Sequence, residues 1–275
     1  MKHPAFAVLN RYLGLLLMAV VTIGPFLWLL STALKSGDEN IFQYPPSLLP
    51  EDPTLDNFWR VIESQPFMLY LKNSVLVAIL SVTANLIFAS LAAYPLARME
   101  FKGKNLIFIV LLSSMMIPFQ LLMIPVYSIA ISLGLQNSYL GLILPHACSA
   151  FGVFLMRQAF LGIPRALEEA AMVEGLNRLQ IWWHILLPLV KPSLATLAVF
   201  SFIAVWGDFL WPLIILDDPG YYTLPLGVNR LANTFSMDWR LVAAGAIFSI
   251  VPILIVFIFS QKYFIEGAMK GSVKG

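Results

Sequence analysis

The sequence predicts an all-α membrane protein with six transmembrane helices and one polar cytoplasmic segment that forms a helix. Of its 275 residues, 59% are hydrophobic and only 12% are charged, whereas a soluble domain carries about 25% charged residues. The mean hydropathy is +0.82, and the deficit of charge extends along the whole chain, which indicates a polytopic membrane protein. The third observation is the segment 157–191, which is polar and helix-forming yet lies between two apolar stretches.

Each of six apolar stretches approaches the length of about 20 residues that a helix needs to cross a bilayer. They predict transmembrane helices at 12–34, 71–96, 105–122, 140–160, 194–215 and 241–260. Lys2 and Arg11 precede the first stretch, as basic residues do in a secretory signal. Its apolar run is longer than the roughly 7–15 residues of a signal core, and it has no clear cleavage site. We therefore expect a retained first helix and a single transmembrane domain over 1–275.

The distribution of basic residues predicts the orientation. If both termini are cytoplasmic, twelve of the 17 Lys and Arg residues fall on the cytoplasmic side and five on the outer side. Cytoplasmic loops of membrane proteins carry an excess of Lys and Arg. We therefore expect the loop 161–190 and the tail 261–275 in the cytoplasm, and the segments 35–66 and 217–240 on the outer side.

Local signals within the 161–190 loop predict a helix, a tight turn and a second helix. Residues 165–174 are rich in Ala, Leu, Glu and Met, which are good helix formers. Gly175 follows them and can adopt the positive φ with which many helices end. Asn177 and Gln180 have the spacing of a capping box at the start of the second helix.

The second helix of this loop is expected to be limited by Pro188 and Pro192. An alternative interpretation treats the whole segment as an ordinary amphipathic loop. In that case Trp182 and Trp183 would lie at the lipid interface, where tryptophan is enriched.

A spaced motif in this loop favours a docking surface for another protein. It consists of Glu169-Ala170-Ala171, then Gly175, then Ile185-x-Leu187-Pro188. The spacing resembles the "EAA" loop of ATP-binding-cassette (ABC) importer permeases. That resemblance implies the type I importer permease fold and a coupling helix that inserts into a cleft of the ATPase subunit. Glu169 is then the candidate residue that pairs with a basic group there, and the two alanines are expected to give a flat contact surface.

Further segments narrow the resemblance to the maltose-type carbohydrate uptake permeases, in particular to their MalG-like member. They are Asn73-Ser74, Ala92 to Arg98, Met116-Ile117-Pro118, Leu155 to Gln158, Trp206 to Pro212, Thr223-Leu224-Pro225 and the tail Gly267 to Gly275. Two positions depart from the family pattern: Glu174 replaces the usual Asp, and Gly207 stands where Asn is common.

The resemblance implies a multi-subunit importer in a bacterial or archaeal cytoplasmic membrane, surrounded by lipid. The expected partners are a second, MalF-like permease, two ATP-binding subunits and an extracytoplasmic solute-binding protein, with no nucleic acid. The sequence contains no G-x-x-x-x-G-K-[ST] phosphate loop. We therefore expect a transport subunit that is not an enzyme and holds no cofactor or metal, with ATP and Mg²⁺ bound by the partner ATPase subunits.

Asp208 is the candidate residue for the solute path, since an ionisable side chain inside a span is a functional hypothesis by default. A hydrogen-bonded structural role is the alternative. Trp206 and Trp211 are candidates for stacking on a sugar, although aromatic residues at the membrane interface are commoner. His146 and His184 are too isolated to predict a metal site.

Other function classes stay open at this point. A permease for a non-sugar solute such as glycerol phosphate is the nearest alternative, although no predicted span interior contains an arginine that would favour a phosphate. A secondary transporter would need several intramembrane charges, of which only Asp208 is present. A membrane enzyme would need a cluster of catalytic side chains, and the sequence predicts none.

Overall fold

The computed structural model describes residues 4–232 and 238–272, with side chains described for 11–232 and 238–261. Every regular element in these ranges is helical, so the predicted all-α class is confirmed. Fourteen α-helical segments are described, numbered in chain order. They are α1 (Pro4–Leu34), α2 (Asp56–Ser64), α3 (Phe67–Arg98), α4 (Lys104–Ser114), α5 (Phe119–Ser132), α6 (Tyr139–Ile143), α7 (Ala150–Leu161), α8 (Ala166–Val173), α9 (Arg178–Ile181), α10 (Leu187–Leu189), α11 (Lys191–Trp206), α12 (Leu210–Ile215), α13 (Leu224–Ala232) and α14 (Trp239–Ser272).

By length and composition, three of the described helices can cross a membrane: Arg11–Leu34, Phe67–Arg98 and Trp239–Gln261. The number rises to six if each of three bent helix pairs counts as one span. The predicted stretches 12–34, 71–96 and 241–260 lie within the three long helices.

The other three predicted stretches differ from the structure in continuity. Within 105–122 the helix is interrupted between Ser114 and Phe119, and the axis bends by 104°. Pro118 explains the break, because proline lacks an N–H donor and disfavours helical geometry in the residue before it. The stretch 140–160 contains a bend of 44°.

The predicted stretch 194–215 is also interrupted. The helix α11 ends at Trp206, and α12 begins at Leu210. The intervening residues include Gly207 and Asp208, which lie outside both helices.

The chain divides into two compact units. The first contains the residues up to Met68 together with Gly227–Val251. In this unit, Asn57 donates hydrogen bonds from Nδ2 to the carbonyl oxygens of Ala33 and Lys35, at 2.9 and 2.8 Å. The aromatic rings of Phe58 and Phe67 pack against that of Phe248. These contacts join α2 to the end of α1 and to α14.

The second unit contains Leu69–Leu226 and the residues from Pro252 onward. Its buried core is built by α3, α7, α8, α9 and α11. Small side chains allow α3 to pack closely: Ala89, Ala93 and Ala97 are each at most 1% exposed. The same core includes residues of the 161–190 loop, so that loop is packed onto the helices that precede it.

Candidate docking loop and buried polar sites

The helix α8 ends in a glycine turn that closes its last carbonyl groups. Gly175 has φ of +88°, and the space around its Cα is open, since a Cβ atom would have no contact within 4 Å. The N–H of Gly175 donates to the carbonyl of Met172, and that of Leu176 donates to the carbonyl of Ala171, both at 3.0 Å. This pair of bonds is a Schellman motif. The predicted positive φ at Gly175 is therefore confirmed.

The predicted capping box at the start of α9 is also confirmed. The N–H of Gln180 donates to Oδ1 of Asn177 at 3.0 Å, and the N–H of Asn177 donates to Oε1 of Gln180 at 2.8 Å. The helix then passes through a π-helical turn, Trp182–Leu186, and continues to Leu189.

The second helix of the loop ends at Leu189, between Pro188 and Pro192, as the two prolines predict. Pro188 lies one residue before this end, after the π-helical turn. The axis bends by 84° between Leu189 and Lys191. Pro192 lies in the first turn of α11 and so marks its beginning.

The motif residues divide into an exposed set and a packed set. Glu169, Ala170, Gly175 and Pro188 are exposed, Ile185 and Leu187 are partly buried, and Ala171 is buried. Val173 is 89% exposed, and Leu167 and Met172 are each about half exposed, at 45% and 51%. Exposed apolar side chains on a soluble surface are often found at protein–protein contacts.

The expected flat surface of two alanines is wrong in one respect. Only Ala170 faces outward, because Ala171 belongs to the buried core together with Ile163, Ile181 and Leu186. The helical repeat explains this difference, since consecutive residues on a helix are about 100° apart. Ala171 therefore anchors α8 to the chain and leaves Glu169 and Ala170 accessible.

Glu168, directly before the Glu169-Ala170-Ala171 motif, forms a buried ion pair that the sequence did not predict. Oε1 of Glu168 lies 2.7 Å from Nε of Arg98, and the two side chains are 7% and 5% exposed. The pair lacks the alignment of a hydrogen bond. Nη2 of Arg98 donates to the carbonyl of Ile163 at 2.6 Å. Burial raises the pKa of Glu168, and the nearby charge of Arg98 offsets this only in part.

The candidate solute-path residues lie around the break between α11 and α12. Asp208 is partly buried, and its Oδ2 lies 3.1 Å from Nε2 of His146. Its Oδ1 accepts a hydrogen bond of 3.3 Å from the N–H of Trp211. Asp208 therefore has the contacts of a hydrogen-bonded structural residue, and His146 is its side-chain partner. The described residues include no group of His, Cys, Asp and Glu that could hold a metal ion.

The two candidate tryptophans are inside the protein. Trp206 is 3% exposed and Trp211 is 1% exposed. Nε1 of Trp211 donates to the carbonyl of Gly141 at 2.9 Å. In this structure neither ring presents a face on which a sugar could stack.

A polar cluster around Asn85, at the middle of α3, was also not predicted from the sequence. Nδ2 of Asn85 donates to Oγ of Ser149 and Oγ of Ser201, at 3.1 and 2.6 Å. Oδ1 of Asn85 accepts from the N–H of Ser149 at 2.8 Å. The signal in the sequence was the amide of Asn85 between apolar residues, which must find partners within the protein.

Comparison with known proteins extends over most of the chain. Residues 66–268 match the family described as "Binding-protein-dependent transport system inner membrane component". The arabinooligosaccharides transport system permease protein AraQ of Halalkalibacterium halodurans is 37% identical, and its counterpart in Bacillus subtilis is 33% identical. In both cases the match covers 100% of each chain.

A solved structure shows the same fold. It is a crystal structure of a bacterial ABC transporter involved in the import of the acidic polysaccharide alginate. The TM-score is 0.83 at 27% sequence identity, and the match covers 96% of this chain and 99% of that chain.

Proposed function

Since this chain belongs to the family of binding-protein-dependent transport system inner membrane components, we propose that it is the MalG-like permease subunit of a carbohydrate importer. The chain is a membrane-embedded component of an ABC transporter. In this proposal it translocates an oligosaccharide that a solute-binding protein delivers on the outer side. Its relatives named for arabinooligosaccharides and for alginate support the carbohydrate class.

The observation that carries the proposal is the accessible surface of α8. The Schellman turn at Gly175 and the buried Ala171 hold this helix against its own chain, while Glu169, Ala170 and Val173 remain exposed. A short helix fixed at its base and apolar at its tip suits insertion into a cleft of an ATPase subunit. Closure of the ATPase dimer would then displace the loop and the helices packed on it as a rigid body.

The partners in this proposal are a second, MalF-like permease, two ATP-binding subunits and the solute-binding protein. ATP and Mg²⁺ belong to the ATP-binding subunits, since this sequence has no phosphate loop of its own. The excess of basic residues supports cytoplasmic termini and a cytoplasmic α8.

For the solute path we retain Asp208 as the candidate contact. Its carboxylate is partly exposed and can accept a hydrogen bond from a sugar hydroxyl. The burial of Trp206 and Trp211 supports a structural role for those residues, because their rings are covered by this chain.

The first test replaces Glu169 with Lys in the complete transporter. Truncating one partner of a hydrogen-bonded charge pair in an interface costs about 2–5 kcal/mol, so we expect loss of most of the co-purified ATP-binding subunits. ATP-driven uptake of oligosaccharides should fall in parallel. Wild-type recovery of the ATPase subunits would rule out Glu169 as a docking residue.

A second test compares two glycine turns of the same geometry. Gly134 ends α5 with φ of +67° and the same Schellman pair of hydrogen bonds, and a Cβ atom there would also meet open space. Gly134→Ala and Gly175→Ala should each cost about 1 kcal/mol of stability, because a residue with a Cβ is strained in this region. Only Gly175→Ala should weaken ATPase binding. An equal effect of both on ATPase binding would contradict the docking assignment.

The solute class is tested by uptake into proteoliposomes of the whole transporter with its binding protein. We expect uptake of arabino-oligosaccharides or alginate oligosaccharides. Uptake of glycerol phosphate with neither oligosaccharide transported would overturn the carbohydrate assignment and support the nearest alternative.

A further inference from the structure

The helix α3 carries polar side chains at three levels, and each level is bonded to a segment distant in the sequence. Arg98 lies at its C-terminal end, Asn85 near its middle, and Asn73 with Ser74 near its other end. All of these contacts lie within the second compact unit. From residue 73 to residue 98 the helix spans about 38 Å at 1.5 Å per residue.

At the C-terminal end, Arg98 connects α3 to the docking loop through side-chain contacts alone. The chain itself leads from the loop to α7 on one side and to α11 on the other. The buried contact with Glu168 and the hydrogen bond to the carbonyl of Ile163 place the guanidinium group between α8 and the residues just before it. Separating a buried ion pair leaves uncompensated charges. The free-energy cost of this separation strongly resists movement of α8 relative to α3.

At the opposite end, the amide of Asn73 is completely buried and bonded on both sides. Its Nδ2 donates to the carbonyls of Gly220 and Tyr222, each at 3.0 Å. Its Oδ1 accepts from the hydroxyl of Tyr139 at 2.8 Å. Oγ of Ser74 accepts from the N–H of Leu224 at 2.7 Å. These bonds fix the segment 217–224 to α3.

In the middle, Asn85 links α3 to Ser149 at the start of α7 and to Ser201 in α11. Polar bonds of this kind fix the relative positions of helices, whereas apolar contacts allow packed helices to slide by small shear movements. The helices α7 and α11 are therefore expected to move with α3.

We propose that α3 is the transmission element between the ATPase-docking helix α8 and the outer segment 217–224, with Arg98–Glu168 as its inner connection and Asn73 as its outer one. This inference rests on the proposed function of α8. A displacement of α8 by the ATPase subunits moves Arg98 and with it α3. The helix α3 then displaces the outer segment that Asn73 holds. By reciprocity, a ligand that displaces segment 217–224 changes the equilibrium between the open and closed states of the ATPase dimer.

The experiment measures nucleotide-dependent changes at the outer segment in the complete transporter. Cys148 is exposed and is first replaced by Ser. The exposed Pro219 is replaced by Cys and labelled with a membrane-impermeant maleimide, once without nucleotide and once after trapping with ATP and vanadate. We expect the labelling rate at position 219 to differ between the two states.

Two variants break one connection each. The double replacement Arg98→Met with Glu168→Leu removes the ion pair without leaving a buried charge, so the complex should assemble and hydrolyse ATP at its basal rate. Asn73→Leu removes the outer connection and leaves the docking loop unchanged. In both variants the nucleotide-dependent difference at position 219 should be lost.

Two matched controls remove polar contacts in the same regions without involving α3. Glu100→Gln removes the ion pairs of the exposed Glu100 with Lys104 and Arg165, and Gln136→Leu removes the partly buried amide that donates to Asp217. Both controls should keep the labelling difference.

The proposal is overturned if either the double replacement or Asn73→Leu keeps the wild-type labelling difference. If the double replacement fails to assemble, Asn73→Leu alone decides. A failure of the proposed docking function has a different signature, since Glu169→Lys would then leave the recovery of ATPase subunits unchanged.

Discussion

The ion pairs Lys35–Glu39 and Arg98–Glu168 are both buried, but they differ in the hydrogen bonds that surround them. The side chains of the first pair are 4% and 5% exposed, and those of the second are 5% and 7% exposed. Glu39 accepts hydrogen bonds from the hydroxyl of Ser47 and the N–H of Glu51, at 3.0 and 3.2 Å. Oε1 of Glu168, in contrast, has no aligned hydrogen-bond donor.

The pKa values of the two carboxyl groups shift in opposite directions. Burial would raise the pKa of Glu39, but the hydrogen bonds from Glu51, Lys35 and Ser47 lower it below its ordinary value. Burial raises the pKa of Glu168, and the charge of Arg98 does not fully compensate. The first pair therefore fixes a local loop, whereas the second holds two distant segments together at some cost in desolvation.

The largest effect should come from breaking the Arg98–Glu168 pair on one side. Glu168→Leu leaves the guanidinium group of Arg98 buried without a counter-charge, which costs about 3–5 kcal/mol. The midpoint of thermal unfolding in detergent should fall strongly, and the added replacement Arg98→Met should restore most of it. A single variant as stable as the wild type would show that the pair is not buried in the assembled protein.

A smaller loss is expected from Lys35→Met. The variant removes the ion pair with Glu39 and the bonds from the Lys35 ammonium group to Ser47, but Glu39 keeps its bonds from Ser47 and Glu51. We expect the free energy of unfolding to fall by about 1–3 kcal/mol, which should appear as a lower thermal unfolding midpoint. If Lys35→Met proves more damaging than Glu168→Leu, the proposed difference in hydrogen bonding does not control stability.

The two carboxyl groups should also give pH dependences of opposite sign. The folded pKa of Glu39 lies below the ordinary 4.5, so its contribution is present above pH 4.5 and is lost as the pH falls through the folded pKa. The folded pKa of Glu168 lies above 4.5, so its contribution is present below that pH and is lost as the pH rises through the folded pKa.

Amide variants separate these two contributions. In unfolding midpoints measured from acid to neutral pH, Glu39→Gln should reduce the loss of stability in acid, and Glu168→Gln should reduce the loss on the neutral side of pH 4.5. The same change of profile in both variants would contradict the opposite shifts.

The smallest effect is expected for an exposed pair. Nζ of Lys104 lies 3.3 Å from Oε1 of Glu100, and the side chain of Glu100 is 77% exposed. Exposed ion pairs contribute little to the free energy of unfolding because water and salt screen their charges. Glu100→Gln should leave the unfolding midpoint within the error of the measurement, and a clear loss would indicate a role in the assembled transporter.

The backbone of the 161–190 loop could be predicted from the sequence in large part. The positive φ of Gly175 and the capping box of Asn177 and Gln180 depend on residues at most five positions apart. Such local hydrogen bonds form wherever the sequence supplies the right residues. The π-helical turn Trp182–Leu186 was not predicted, because the local pattern gives no signal for it.

The orientation of side chains could not be predicted in the same way. Whether Glu168 or Glu169 faces inward depends on Arg98, which the chain brings to α8 from the end of α3. The contact of His146 with Asp208 joins residues 62 positions apart. The sequence shows each partner alone and gives no sign that the two are in contact.

The sequence by itself determined the helical class, the membrane setting, the spaced motif of the 161–190 loop and the turns that shape this loop, because composition and local hydrogen bonding act over short distances along the chain. Only the tertiary structure decided which face of α8 is free, that Trp206 and Trp211 are covered, and that α3 is bonded at three levels to distant segments. The physical reason is that buried polar groups must find partners, and in a folded membrane protein those partners come from wherever the packing places them.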